Sequence, residues 1–563
     1  MPGGILNLVS EGQANIMING NPSKSFWKAK YAKHTNFGKQ NFRLDYDGNT
    51  NLRLNEESTF NFKVKRYGDL LLDAFISVTL PNIWSPIQPP QKYKQTEDGP
   101  ERLTDWAPYE FKWNDYIGAQ MIRRISITCG NQVIQEYSGQ YLIAMVLRDF
   151  NSDKKDLFHR MIGHVPEIND PKNAFGYSNS YPNAYAVDNN IGCEPSIMGR
   201  VLSIPLGAWF TMKDQNALPL VALQYNEVNI SITFAPISQL FKIRDVTDYD
   251  NNFPYIAPNF NRDEFAFYRF VQAPPDVALT AASYADKRSI WNADIHLNCN
   301  YVFLSDPERD LFAKNEQTYL YTQPHEKTFY NIVGSKKISL ESLGLVKDWM
   351  FFLRRSDVNL RNEWTNYTNW PYNFKPFRAV NASYAQMKFD ISLNGQLLSL
   401  TPGTNYEDSL TSGLIINETY TPENQKEILV DLGILFEGNY RENVFHSNIY
   451  KYNQKYSQTG GNATEHLYCY NFCLNTSPYA LQPCGAINMN HFKTIEFEIT
   501  TILPPVNPYV QHEVLCDETG EFIVGINKPI HGLYEYTFDL VLFEEKINMI
   551  KFVGGNAGIV FAN

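Results

Sequence analysis

No run of apolar residues in this chain approaches the roughly 18 that a membrane-spanning helix needs. The opening Met1-Pro2-Gly3-Gly4-Ile5 lacks the charged-then-apolar order of a secretory signal. Cysteine is scarce and odd in number: Cys129, Cys193, Cys299, Cys469, Cys473, Cys484 and Cys516. That count argues against a disulfide-stapled scaffold and for mainly reduced thiols, so synthesis in the cytoplasm is expected. Basic clusters are missing as well. The longest basic runs are pairs such as Arg123-Arg124 and Lys336-Lys337, in a chain of formal charge −11. A protein that grips phosphate backbones needs clustered Lys and Arg to displace counterions. Direct nucleic-acid binding is therefore not expected.

Catalytic signatures are lacking too. There is no GxxxxGK[ST] phosphate loop, no GxSxG nucleophile turn and no HExxH pair. The ten His form no HxH or HxxxH pair that would aim two imidazoles at one metal. The best metal candidate is the set His466, Cys469, Cys473 and Cys484. Its spacings of three, four and eleven do not match paired zinc knuckles, and buried free thiols are the favoured reading. Glu496 and Glu498 share one strand face, but Ile495 and Phe497 make the opposite face the buried one. A solvated face is expected there, not a glycosidase pair. No catalytic residue, metal or cofactor is assigned.

What the chain does have is aromatic residues and turns. Aromatics make up 14%, with 35 Tyr and 36 Phe, and 31 Pro and 32 Gly are spread throughout. Aromatic side chains favour pleated, half-buried surfaces, and Pro and Gly supply the turns between short strands. A 43% hydrophobic and 19% charged composition fits a core-forming globular protein, and 563 residues are too many for one ordinary core. Period-2 alternation recurs at Phe60/Phe62/Val64, Val228/Ile230/Ile232/Phe234, Met387/Phe389/Ile391/Leu393 and Ile495/Phe497/Ile499. Turn dipeptides such as Asn19-Gly20, Asp47-Gly48, Gly130-Asn131 and Asn394-Gly395 sit nearby. Helical patterns are few: one starting at Asp306-Pro307 and running through Leu311, Phe312 and Leu320, another over 140–150. Many strands and rare helices predict an all-β protein of sandwiches or barrels.

The strand signals fall in two groups. Residues 1–25 read as an N-terminal arm, 26–241 as a first unit, 242–285 as a Pro-, Asn- and Asp-rich connection, and 286–563 as a second unit. A short repeat points to duplication: Ala119-Gln120-Met121 before Ile125-Ser126-Ile127, and Ala385-Gln386-Met387 before Ile391-Ser392-Leu393. Long irregular stretches at 81–114, 151–199, 355–379 and 438–475 are rich in Tyr, Trp, Asn and Pro. They read as ordered loops that contact other subunits or the outside. Trp84, Trp106, Trp113, Trp364 and Trp370 are candidate anchors for such contacts, or else fillers of their own cores. Six Asn-x-Ser/Thr sequons occur at Asn229, Asn366, Asn381, Asn417, Asn462 and Asn475. The last five are the candidate glycosylation sites, against the objection that a cytosolic product would not meet the luminal transferase.

Several segments resemble the major capsid proteins of nucleocytoplasmic large DNA viruses. They are Gly3 to Val9 with Asn19-Gly20-Asn21-Pro22 and His34-Thr35-Asn36-Phe37; Gly68 to Asp73 with Val78 to Pro81; Ile117-Gly118 through Ile134; and Tyr301 to Arg309. Near the end, Pro483-Cys484-Gly485-Ala486-Ile487-Asn488-Met489 is similar to a Pro-Ser-Gly-x-x-Asn-Phe motif, with Cys484 departing at the Ser. Asn548 to Gly558 resembles the closing strand and Gly-rich tail. The matches run in order along nearly the whole chain, and the long loops are least family-like.

The resemblance implies two tandem eight-stranded jelly-roll β-sandwiches (a double jelly roll) with long loops and a few short helices. It implies a homotrimeric, pseudo-hexagonal capsomer in an icosahedral virion shell, made in the host cytoplasm and not enzymatic. Expected partners are copies of itself, minor capsid proteins, and an internal membrane beneath the shell approached by the N-terminal arm. Two rival readings share the sandwich: a minor capsid, penton or spike protein, and a carbohydrate-binding or carbohydrate-hydrolysing protein.

Overall fold

The computed structural model describes residues 12–13, 16–48, 50–88, 94–96, 99–101, 107–176, 180–182, 184, 193–246, 253–275, 284, 286–288, 290–373, 379–381, 389–393, 396–400, 414–416, 425–464, 466–504, 513–516, 523–527, 532–533 and 535–561. Within them, the first half builds β1 (Phe37–Asp45), β2 (Ser58–Lys63), β3 (Leu70–Leu80), β4 (Ile122–Cys129) and β5 (Gln132–Tyr137). Helices α1 (Gly139–Asp149) and α2 (Ser152–Met161) follow, then β6 (Arg200–Pro205), β7 (Val228–Phe234) and β8 (His296–Leu304). The second half begins with α3 (Asp306–Lys314), β9 (Gln317–Ile332), β10 (Ser335–Ser339) and β11 (Leu345–Arg355). It continues with β12 (Leu429–Phe436), β13 (Asn439–His446), β14 (Tyr468–Asn471), β15 (Ile495–Thr501), β16 (Phe538–Val553) and β17 (Asn556–Ile559).

These strands pair into four principal sheets, all antiparallel. The first half forms β1-β8-β3-β6 and β5-β4-β7-β2; the second forms β9-β16-β11-β14 and β10-β15-β12-β13. Counting strands within each half from one to eight, both halves give the orders 1-8-3-6 and 2-7-4-5. That is one jelly-roll topology executed twice, with first and last strands side by side in the same sheet.

This order moves the boundary expected at 285/286. Strand β8 pairs along its length with β1, from Phe37 opposite Leu304 to Asp45 opposite His296, and also with β3. Residues 296–304 therefore close the first roll, and the chain passes to the second only around α3. The described part of the supposed connection is itself folded onto the first roll: Ile243, Phe265, Phe267 and Phe270 are buried in its core. The short repeat is also reassigned. Ile125-Ser126-Ile127 lies in β4, whereas Ile391-Ser392-Leu393 lies in a two-stranded hairpin with Gln396–Leu400, inside the long insertion before β12. The duplication resides in topology, not in those similar words. Residues 385–387 lie outside the described set.

Successive strands run in opposite directions, so connections leave alternately from the two ends of a roll. At one end two are short in both halves, 64–69 and 130–131 in the first and 340–344 and 437–438 in the second, and the third, 206–227 or 472–494, is longer. At the other end three connections are long in both halves, 81–121, 138–199 and 235–295, then 356–428, 447–467 and 502–537, and the fourth is shorter, 46–57 and 333–334. The longest connections of each roll thus leave from the same end.

The rolls are joined by a continuous apolar layer. In β16, Phe538, Leu540 and Leu542 point into the second roll's core, while Val541 and Phe543 join the first roll's cluster. In β11, Trp349, Phe351 and Leu353 face inward and Met350 and Phe352 face the first roll. A sheet covered on both faces reads as an unbroken apolar run, as these two strands do. The sheet carrying β15 has one wet face, so Ile495, Phe497 and Ile499 are buried and Glu496 and Glu498 are not. Helix α1 lies in the junction and is buried on every side. Its start admits only glycine: a Cβ on Gly139 would sit 1.8 Å from the Ala119 carbonyl oxygen.

The two helix expectations hold with shifted ends. Ser138 caps α1 by accepting from the Tyr141 N–H, and α3 starts at Asp306-Pro307. The latter stops at Lys314, so Leu320 belongs to β9. Helix α2, capped by Asn151, occupies part of a stretch read as irregular.

Candidate assembly site

Two kinds of feature bear on self-association: what makes the double roll one block, and what that block leaves exposed. The block is locked by charge as well as by apolar packing. Arg148, in the last turn of α1, donates to Asp149 (2.7 Å), to Asp348 of β11 (2.7 Å) and to Glu545 of β16 (3.0 Å). Lys347 donates to the Thr476 carbonyl oxygen at 2.7 Å and pairs with Glu545 at 3.4 Å. Tyr141 donates to Glu545 (2.9 Å), and the Thr476 hydroxyl donates to Asp149 (2.5 Å). All five charged side chains are buried.

Three carboxylates face two cations here, so the site carries one negative charge too many. Burial pushes Asp348 up to about 7 against the pull of Arg148, with neighbouring Glu545 adding to the rise. Burial works the same way on Glu545, but Arg148 and Lys347 outweigh it and hold that carboxyl at about 2. The surplus charge is thus relieved by a proton on Asp348.

A second lock is made by residues 356–373. Asp357 accepts four N–H bonds, two from Arg355 (2.8 and 2.7 Å) and two from Arg361 (3.1 and 2.8 Å). Those guanidiniums overcome burial and keep its carboxyl far below the ordinary range. The guanidiniums also donate to the carbonyls of Asn369 and Pro371, and Arg355 lies 3.5 Å over the Tyr536 ring. The loop so shaped grips the first roll. Asn362 donates to the carbonyls of Ser238 and Phe241, Glu363 pairs with Lys242, and Tyr372 donates to the Tyr255 carbonyl.

The expectation that the long loops serve contacts outside the chain is corrected for 356–373 and for 461–462, which are held within the chain. Residues 356–373 bind the first roll, and Lys155 of α2 donates to the Asn462 carbonyl while Gly461 donates to the Arg148 carbonyl. A buried loop must satisfy its backbone polar groups, and these do so within their own chain. The Trp anchors change with them. Trp113 is buried edge-on to Phe111, Trp364 lies between Arg123 and Arg354 and donates to the Gln239 carbonyl, Trp370 lies under Lys426, and Trp84 is half-buried. Trp106 lies outside the described residues.

Exposed apolar groups instead mark strand edges and the arm. Edge strand β13 shows Tyr440, Val444 and Phe445; edge strand β6 shows Val201, close in sequence to exposed Met198; edge strand β1 starts at exposed Phe37. Unpaired edges with exposed apolar side chains are where a second chain adds most readily. Ahead of β1, Ile16, Met17, Ile18, Phe26, Trp27 and Tyr31 all face solvent.

The other sequence candidates disperse. Cys469 is buried on β14, where burial pushes its thiol up to about 12, and burial does the same for Cys473. Cys484 donates to the Asn475 carbonyl, and no group of three or more metal-binding side chains occurs among the described residues. Asn366 is buried and its amide donates to the Trp370 and Pro371 carbonyls, so it is not a surface acceptor for a glycan. Asn462 and Asn475 are exposed. Asn381 lies in a strand whose side chains are outside the description, and Asn417 lies outside the described residues. The junction residues Arg148, Asp348 and Glu545 were not singled out from the sequence. Their signal is a charge at the end of, or inside, an apolar run: YLIAMVLRD, LVKDWMFFL and FDLVLFEE.

Two rolls of one strand order in a single chain define a double jelly-roll protein. Residues 25–305 match the family model described as the major capsid protein N-terminus, ending one residue past β8. Capsid protein 1 of Acanthamoeba polyphaga mimivirus is 26% identical, over 57% of this chain and 43% of its own. The major capsid protein of Phaeocystis pouchetii virus is 24% identical, over 57% and 52%. The chain thus spans about half the length of these curated relatives. With the major capsid protein of Paramecium bursaria Chlorella virus 1 the match is 20% identical and covers both chains in full. Among solved structures, the PBCV-1 virus capsid aligns with a TM-score of 0.57 at 16% identity, over 96% of this chain and all of that one. The Faustovirus major capsid protein gives 0.56 at 12%, over 96% and 94%. The chain belongs to the major capsid protein family of nucleocytoplasmic large DNA viruses, whose matched members are structural proteins and not enzymes.

Proposed function

We propose that this chain is a major capsid protein: three copies form a pseudo-hexagonal capsomer, and capsomers tile an icosahedral shell. The observation that carries this is the repetition of one jelly roll within a locked block. A block with two near-equivalent rolls offers two near-equivalent corners, and three blocks around an axis offer six, the outline that packs hexagonally. Exposed edges β1, β6 and β13 supply surface for those contacts. Stable contacts of this kind bury more than about 2,000 Å² each.

Synthesis in the host cytoplasm, contact with minor capsid proteins and an arm lying along the inner face of the shell belong to the same reading. So do glycans at exposed Asn462 or Asn475, which an intact mass equal to the bare polypeptide would remove. Micrographs of the purified protein test the main reading. Six-cornered particles are expected, and single elongated bodies at high concentration contradict it.

A further inference from the structure

The segment leading into β1 differs in charge from the rest of the molecule. Residues 12–44 contain Lys24, Lys28, Lys30, Lys33, Lys39 and Arg43 and no Asp or Glu. The chain totals −11, so everything outside this segment sums to −17. Within 24–31 the cations are interleaved with aromatics, and nothing among the described residues covers them: Phe26 is 89% exposed, Trp27 96% and Tyr31 91%. Along the segment Lys24, Lys28, Lys30 and Lys33 alternate closely with Phe26, Trp27 and Tyr31, so every aromatic has a lysine within two or three residues. A few residues earlier Met17 and Ile18 are 93% and 83% exposed. A soluble protein gains nothing by holding Trp, Tyr, Phe, Met and Ile in water together, so the segment is built to be covered.

Charge and side-chain type select what covers it. Trp and Tyr settle at the headgroup level of a bilayer, and Lys beside them reaches the anionic phosphates while its stem stays among the acyl chains. A second copy of this chain is a poorer fit. Its body is acidic, but several described surface carboxylates are already paired within the chain: Glu56 with Arg53, Glu227 with Lys63, Asp310 with Lys314, Glu316 with Lys551. An acidic body would be repelled by an anionic bilayer, so the arm is the part suited to meet one.

We infer that residues 16–37 dock on an anionic lipid surface, with Phe26, Trp27 and Tyr31 in the interface and Lys24, Lys28, Lys30 and Lys33 on the headgroups. This deepens the shell-subunit reading by naming what the arm of a capsomer would touch. The test uses the full-length protein with vesicles of phosphatidylcholine alone and of phosphatidylcholine with phosphatidylserine, measured by co-flotation. Binding to the mixed vesicles and not to the neutral ones is expected. The fourfold variant Lys24→Gln, Lys28→Gln, Lys30→Gln, Lys33→Gln should lose about fivefold per lysine, a hundredfold or more in all. Trp27→Ala with Tyr31→Ala should weaken what binding survives high salt.

Equal binding to both vesicle types, or an unchanged fourfold variant, overturns the inference. Tighter binding of duplex DNA than of the mixed vesicles overturns it in favour of a nucleic-acid contact. Native mass is read on every variant: a lysine variant that falls apart into single chains shows the arm working between copies, which also overturns it. A wild-type trimer that ignores both vesicles overturns only the arm's assignment, whereas a wild-type monomer overturns the shell reading itself.

Discussion

The two buried charge clusters hold the same two rolls together and are composed in opposite ways. At α1, three carboxylates share two cations; in the loop after β11, one carboxylate takes two guanidiniums. The first has surplus negative charge and relieves it with a proton on Asp348. The second has surplus positive charge and relieves it with the carbonyls of Asn369 and Pro371. A proton can leave at ordinary pH and a backbone carbonyl cannot. The difference teaches that only the first lock is sensitive to solvent conditions, although both are equally dry.

The comparison can be broken at Arg148 most severely. Arg148→Met removes the one group bonded to all three junction carboxylates and leaves buried charge uncompensated. A loss of about 3–5 kcal/mol is expected in denaturant unfolding. Asp357→Asn keeps the shape of the second lock but strands two guanidiniums, and about 3 kcal/mol is expected by the same measurement.

Acidity sharpens the contrast. Asp348 has an ordinary value of 3.8 and about 7 in the fold, so between those values the folded protein holds a proton that the unfolded chain has released. The contribution of Asp348 to stability should fall as pH climbs from about 4 to about 7 and stay lower above, while half-buried His325, held down at about 4, contributes in the opposite sense. Asp348→Asn should remove the Asp348 contribution, read as a more upward slope for the variant than for the parent in melting curves taken across the range. Asp357 and Glu545 are shifted the other way, so their contributions persist at neutral pH and fade only as the medium becomes strongly acid. Asp357→Asn should therefore leave the slope between pH 4 and 7 unchanged.

The smallest effect concerns the terminal hairpin, which straps the second roll to the first. The Gly555 carbonyl accepts from the Gln224 and Tyr225 N–H groups, and Gly555 has a φ of +83° with those side chains 2.9 Å from a would-be Cβ. Gly555→Ala should cost about 1–2 kcal/mol from the left-handed backbone alone, read as a modest drop in melting temperature with assembly retained.

Much of this architecture was legible before any coordinates. One-sided strands such as Val228–Phe234 and Ile495–Thr501 announce themselves by alternation, because one face is dry and the other wet. The all-β class and the doubling followed from them. The roll boundary did not, because β8 returns to pair with β1 across some 250 residues of sequence, and local pattern carries no signal for such a partner. The junction was hidden for a related reason. Strands β11 and β16 are apolar on both faces, which shows burial without saying against what, and Asp348 and Glu545 look like interruptions until Arg148 is brought beside them. The aromatic loops misled because Tyr and Trp serve an internal interface as well as an external one, and 356–373 uses them internally.

The central claim is that this locked double roll exists to bind copies of itself. Sedimentation equilibrium of the purified chain tests it most directly. The account predicts a single species of three times 64.8 kDa that persists on dilution into the nanomolar range. A species of 64.8 kDa at every concentration tried would contradict it.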